Sequence, residues 1–105
     1  MVEIENKIKE IVERFIEEVR KDNITISKAY LFGSYANGTN HEFSDIDIAI
    51  VSDNFEGINF YDCQKVVEAM LRTNVDLETH PYRPEDFTED NPFVKEILDH
   101  GIRIV

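Results

Sequence analysis

Asp45 and Asp47 open the stretch Asp-Ile-Asp-Ile-Ala-Ile-Val51. In a strand the side chains alternate, so both carboxylates leave one face with their Cα atoms about 7 Å apart. Like charges that close repel and raise each other's pKa unless a cation lies between them, and Mg²⁺, which takes carboxylate oxygens, is the economical neutraliser. On its own an Asp-x-Asp pair also reads as a solvated strand end. Upstream, Gly33-Ser34 follows an apolar run that stops at Phe32. Backbone N–H groups at such a junction can take an anion, glycine lets the backbone approach a phosphate, and Ser34 adds a hydroxyl donor. Gly38 lets the chain leave the turn at positive φ. A Gly-Ser pair without further context is an ordinary turn.

The elements that must position these residues follow from periodicity. From residue 3 to about 21, Ile4, Ile8, Ile11, Val12, Phe15, Ile16 and Val19 recur at three- and four-residue steps, which predicts a surface helix with one apolar stripe. Asp22-Asn23 breaks it, and Ser27 to Phe32 reads as a strand. From Asp45 to Val51 the far end is apolar on both faces, as an interior strand requires. Asn59 to Arg72 sets Cys63, Val66, Val67, Met70 and Leu71 at helical spacing. Val75 to Thr79 reads as a short strand that Pro81 and Pro84 end, because proline donates nothing to a sheet ladder. Asn91 caps a last helix with Pro92 in its first turn, Phe93, Val94, Ile97 and Leu98 on its apolar face and Gly101 as its stop. Ile102 to Val105 closes as a strand. The order α, β, turn, β, α, β, α, β indicates an α/β or α+β fold, a small sheet with helices packed against it.

At 105 residues with 42% apolar content, the chain is read as one domain over 1–105. The net charge of −11 repels free nucleic acid unless a metal or partner supplies positive potential. Cys63 is the single cysteine, which excludes an internal disulfide and suits a reducing cytoplasm. No stretch has the apolar length of a membrane span, and the first residues carry no basic segment followed by an apolar run. The expectation is a soluble, unprocessed cytoplasmic protein.

Phe32-Gly-Ser-Tyr-Ala-Asn-Gly38 followed by Ser44-Asp-Ile-Asp-Ile-Ala-Ile50 resembles the signature of the polymerase-β-like nucleotidyltransferase superfamily, in its minimal branch. The resemblance implies the nucleotidyltransferase fold and a Mg²⁺-dependent transfer of a nucleoside monophosphate, AMP from ATP, to an acceptor hydroxyl. It places the triphosphate on Gly33 and Ser34, with Gly38 and Ser44 in the same nucleotide-binding signature, and Mg²⁺ on Asp45 and Asp47. The family's third carboxylate matches Asp76 in Val75-Asp-Leu77, with Glu78 as a rival on the same face. Minimal members of the family are often antitoxins paired with a small helical protein of the HEPN type, so the resemblance implies an acceptor on such a partner protein, in a homo- or hetero-oligomer. Larger members bind their acceptors with domains that have no counterpart here.

One departure stands beside the second glycine, where the family often has a basic residue and this chain has Asn37. An amide cannot neutralise phosphate, so either affinity for the triphosphate is reduced or Lys28, Lys65 or Arg72 approaches from elsewhere. That departure supports a rival reading, a catalytically inactive member that neutralises its partner by binding. His41, His80 and His100 lack ligand spacing and are read as loop or surface histidines. Tyr35 is read as packing or exposed, with base stacking as the alternative. The segment from His80 to Phe87 is read as a structural loop near the third carboxylate, able to shape an acceptor site.

Overall fold

In the computed structural model, residues 5–41 and 44–105 are described. Ile4, assigned above to the first apolar stripe, and the helix start at residue 3 lie outside the described residues. Helix α1 spans Asn6–Lys21 and buries Ile8, Val12, Phe15, Ile16 and Val19, the stripe read from the sequence. Arg20 and Lys21 in its last turn complement the helix dipole, and Asn23 leaves at φ 65° in the left-handed region that asparagine tolerates.

Four strands form one mixed sheet in the order β3-β2-β1-β4. Strand β1 (Lys28–Phe32) runs antiparallel to β2 (Ile46–Val51) and to the short β4 (Ile102–Arg103), while β3 (Leu77–Tyr82) runs parallel to β2. Period-two alternation sorts the residues of β2 onto two faces. Ile46, Ile48 and Ile50 join Ala29, Leu31 and Leu77 beneath α1 and helix α3 (Asn59–Thr73). Ala49 and Val51 join Tyr30 and Phe87 beneath helix α4 (Pro92–His100). Ile48, Ala49 and Ile50 are fully buried, as an interior strand covered on both sides must be. Removing an isoleucine side chain from water contributes about 1.5–3 kcal/mol.

The third strand departs from the sequence reading. It begins at Leu77 and runs through Pro81 to Tyr82 instead of ending before the proline. Ile46 N–H donates to the Asp76 carbonyl and Ser52 N–H to the Tyr82 carbonyl, so the even-numbered residues of this segment face β2. By the same alternation the nitrogen of Pro81 faces outward from an edge strand, where no ladder bond is lost. A single 3-10 turn, Pro84–Asp86, then leads toward α4. Asn91 caps α4 by accepting from Phe93 N–H at 2.9 Å, as the sequence predicts. In α3 the buried face is Asp62, Val66 and Ala69, with Met70 packed against the core; of the apolar residues read from the sequence, Val66 and Met70 turn inward while Val67 and Leu71 are exposed.

Candidate active site

Asp47 reaches its position because β2 pairs on both sides. Its antiparallel partner on β1 is Phe32 and its parallel partner on β3 is Glu78. Phe32 is followed by Gly33 at φ 76°, which begins the four-residue helix α2 (Ser34–Asn37), and Gly38 closes it at φ 81°. A Cβ on Gly33 would collide with Oδ2 of Asp47, so glycine is required there for space as well as for its backbone angle. The Gly-Ser turn and the second aspartate are thus in direct contact. Asp45 stands exposed at the entrance of β2, on the Asp47 side of the strand.

On the other side of Asp47, ligand atoms of Asp47, Glu78 and His80 all lie within 4.8 Å of one another. His80 Nε2 is 3.5 Å from Asp47 Oδ1 and 3.9 Å from Glu78 Oε1. It is buried and makes no hydrogen bond, since 3.5 Å with unfavourable alignment is a close approach and not a bond. The imidazole is fixed by rings: Phe32 lies edge-on with centroids 4.8 Å apart, and Phe93 lies at 5.9 Å. An unpaired buried nitrogen beside two carboxylates is a donor set that fits a divalent cation, and the oxygens of Asp45 and Asp47 suit Mg²⁺.

Histidine 80 is the residue that sequence spacing missed. Its partners are Glu78, two residues away on the same strand, and Asp47 on the neighbouring strand, a grouping with no His-x-x-x-His spacing. The available signal was the alternation Glu78-Thr-His80, which puts both side chains on one face. Asp76 lies in the turn before β3, exposed, with its N–H donating to Asn74 Oδ1 at 2.8 Å. It lines a cavity with Tyr35 and Ile46 and is not in the Asp47 cluster. Of the two carboxylates weighed from the sequence, Glu78 is the one that β3 brings against Asp47.

Burial and the facing charge of Asp47 raise the pKa of Glu78. A raised folded-state value means that the charged form is disfavoured above the ordinary glutamate range, and that the cost disappears once pH falls below it. In metal-free buffer Glu78→Gln is therefore expected to raise the melting temperature at neutral pH by about 1–5 °C. A pH series of thermal melts should show that gain vanishing on acidification; a gain independent of pH would mean the charge is not its origin.

The other signature residues have visible local roles. Asn37 Oδ1 accepts from Thr39 N–H at 3.1 Å and from its hydroxyl at 2.5 Å, so the residue at the family's basic position closes the turn instead. The Ser44 hydroxyl accepts from His41 N–H at 2.9 Å. Tyr35 packs against the main core. None of the three cations considered from the sequence approaches the turn. Lys65 donates to the Asn54 carbonyl, Arg72 is held by Glu18 and Asp22, and Lys28 begins β1 at the end remote from Asp47.

Comparison with known proteins assigns the class. Residues 12–104 match the nucleotidyltransferase domain model, and the chain belongs to that family of transferase enzymes. Protein adenylyltransferase MntA of Shewanella oneidensis is 36% identical over 72 residues, covering 67% of this chain, which spans about half (52%) of that relative's length. A protein of Methanocaldococcus jannaschii, provisionally named a protein adenylyltransferase, is 32% identical over 100 residues, covering 92% of this chain and 93% of its own. Among solved structures, a nucleotidyltransferase of Sulfolobus solfataricus, so named provisionally, superposes with a TM-score of 0.68 at 21% identity, over 92% of this chain and 78% of that one, and supports the fold alone. A toxin-antitoxin structure with AMP-PNP superposes with a TM-score of 0.58 at 26% identity, over 87% of this chain and 69% of its own. The mixed sheet with its flanking helices is the nucleotidyltransferase fold read from the signature.

Proposed function

We propose that this chain transfers AMP from ATP to a hydroxyl of a partner protein in a Mg²⁺-dependent reaction. The observation that carries the reading is the position of Asp47, in contact with the Gly33–Ser34 turn on one side and with Glu78 and His80 on the other. Gly33 and Ser34 receive the triphosphate, with Gly38 and Ser44 shaping the same loop. Asp45 and Asp47 would hold Mg²⁺ together with a carboxylate from the β3 side, either Glu78, which faces Asp47, or Asp76 in the turn before β3. A divalent ion bound there supplies positive charge that offsets the triphosphate and lowers the pKa of an attacking hydroxyl. The chain's own part is to orient the α-phosphorus by the turn and to hold facing carboxylates on a rigid interior strand, where positioning does most of the work of phosphoryl transfer.

Relatives named protein adenylyltransferases support a protein acceptor, and the toxin-antitoxin neighbour with AMP-PNP supports a nucleotide and a toxin-type partner. A HEPN-type helical protein in the same cytoplasm is the partner proposed. No helix among the described residues is long and apolar enough to cross a membrane.

The test combines the chain, its candidate partner, Mg²⁺ and ATP. Intact-mass spectrometry should find the partner heavier by one adenylyl group, and peptide mapping should place the group on a hydroxyl. Tight association with a partner that stays unmodified would favour the binding-only antitoxin, the reading to which Asn37 points.

A further inference from the structure

Beyond β3 lies a cleft of about 630 Å³ bounded by β3, the 3-10 turn, the start of α4 and Gly57. His80 lines it and also stands against Asp47 and Glu78, so one imidazole borders both the cleft and the carboxylate cluster. We infer that this cleft is the acceptor site, and that it takes a hydroxyl carried on a basic stretch of polypeptide. The inference rests on the nucleotidyl-transfer reading given above.

Direction comes first. In-line displacement requires the attacking oxygen and the departing pyrophosphate on opposite sides of the α-phosphorus. Across the sheet the order is the Gly33–Ser34 turn after β1, Asp47 on β2, Glu78 and His80 on β3, then the cleft. A triphosphate on the turn sends its pyrophosphate to the β1 side, which leaves the β3 side for the acceptor. The acceptor oxygen bonds to the α-phosphorus, the bond from that phosphorus to the bridging oxygen breaks, pyrophosphate leaves with the electron pair, and the hydroxyl proton passes to water in the cleft.

The wall is held in place. Asp62, 1% exposed, accepts from Glu56 N–H at 2.8 Å and from Gly57 N–H at 2.9 Å, which fixes the loop before α3. Gly57, at φ 85°, has no side chain to obstruct Arg83, whose Nε would lie 2.6 Å from a Cβ there. Arg83 in turn is gripped by Asp86 through two bonds of 2.7 and 3.1 Å, with Glu85 at 3.7 Å. Buried Asp62 and the Arg83–Asp86 pair thus make a preformed cleft in which the arginine charge is already matched.

The charge left over sets the substrate. Glu85, Asp86 and Asp90 line the cleft against the single guanidinium of Arg83, so the lining is acidic and sits in a chain of net charge −11. An RNA or DNA acceptor would be repelled there, while lysine or arginine residues flanking a hydroxyl would be attracted. Neutral donors and acceptors on Asn59, Thr88 and Asn91 can bind the peptide backbone.

Two synthetic peptides of equal length test this, each with serine, threonine and tyrosine at its centre, one flanked by lysines and the other by glutamates. With the full chain, Mg²⁺ and ATP, the lysine peptide should gain AMP with kcat/KM about tenfold or more above the glutamate peptide. Glu85→Lys with Asp90→Lys, which leaves the Arg83–Asp86 pair in place, should invert that order through KM with kcat little changed. Glu85→Lys alone should narrow it, and circular dichroism checks the fold of both. Equal use of the two peptides, an order the charge reversal does not alter, or better transfer to the 3′-hydroxyl of an RNA oligonucleotide would overturn the proposal. Calorimetry of wild type with ATP and Mg²⁺ separates the two readings. Absent nucleotide binding removes nucleotidyl transfer itself, whereas binding without transfer to either peptide removes the cleft as peptide site.

Discussion

Asp47→Asn should lower AMP transfer by about 10²–10³-fold while the metal-free protein melts at a higher temperature than wild type. The two effects have one cause. Asp47 Oδ1 lies 3.5 Å from His80 Nε2, and its carboxylate faces Glu78 on the paired strand and Gly33 at the start of α2. Asparagine keeps the shape of aspartate, so the β2 register and the Gly33 contact survive. It removes the charge that a divalent ion requires, and Mg²⁺ tolerates poor ligand sets badly. The same change relieves the repulsion that helps raise the pKa of Glu78. A gain in stability together with a loss of activity cannot come from unfolding, which would lower both. Asp45→Asn is expected to lose comparable activity with a smaller thermal gain, because Asp45 is exposed and contributes less to that repulsion. Transfer at wild-type rates by the Asp47 variant would remove the residue from the mechanism.

What the sequence made legible is local. The Asp45–Val51 strand was readable because alternation and β-branched residues agree, and its burial on both faces follows from the apolar residues at its far end. The Gly33 turn was readable because Gly-Ser directly follows an apolar strand run and Gly38 lets the chain leave the turn at positive φ. Asn91 and Pro92 marked the start of α4 for a similar reason, since cap chemistry depends on adjacent residues. What failed depended on pairing between distant segments. Pro81 reads as a strand terminator until β3 is known to be an edge strand whose proline nitrogen faces outward. His80 reads as a surface histidine until the parallel register sets Glu78 beside Asp47. Helical period alone could not say which side of α3 is covered. It offered Cys63, Val66, Val67, Met70 and Leu71, of which Val66 and Met70 turn inward and Val67 and Leu71 are exposed, and it passed over Asp62 on the buried side, whose carboxylate is satisfied by the backbone of the loop before the helix. A buried acid in a helical pattern reads as solvent-facing, and only the loop that it caps reveals otherwise.

Mg²⁺ and ATP together should raise the melting temperature by on the order of 10–20 °C at nucleotide concentrations near a hundred times Kd, and ATP with EDTA should raise it far less. The magnitude follows from linkage: a ligand bound only by the folded state at that excess stabilises by about 2.7 kcal/mol. A domain of this size shifts by about 4–8 °C per kcal/mol. The contrast between the two conditions follows from Asn37. In family members with a basic residue beside the second glycine, a side chain offsets part of the phosphate charge. Here Asn37 is committed to Thr39, while Lys65 and Arg72 are bonded elsewhere and Lys28 starts at the far end of β1. At the proposed triphosphate site, backbone N–H groups and the Ser34 hydroxyl would supply partial charges only, against a protein of net charge −11. Nearly all of the compensation for a triphosphate therefore falls to the cation, and removing it should cost most of the shift. A shift by ATP that survives EDTA undiminished would show that the nucleotide is held by other groups, and the carboxylate cluster around Asp47 would lose its place in nucleotide binding.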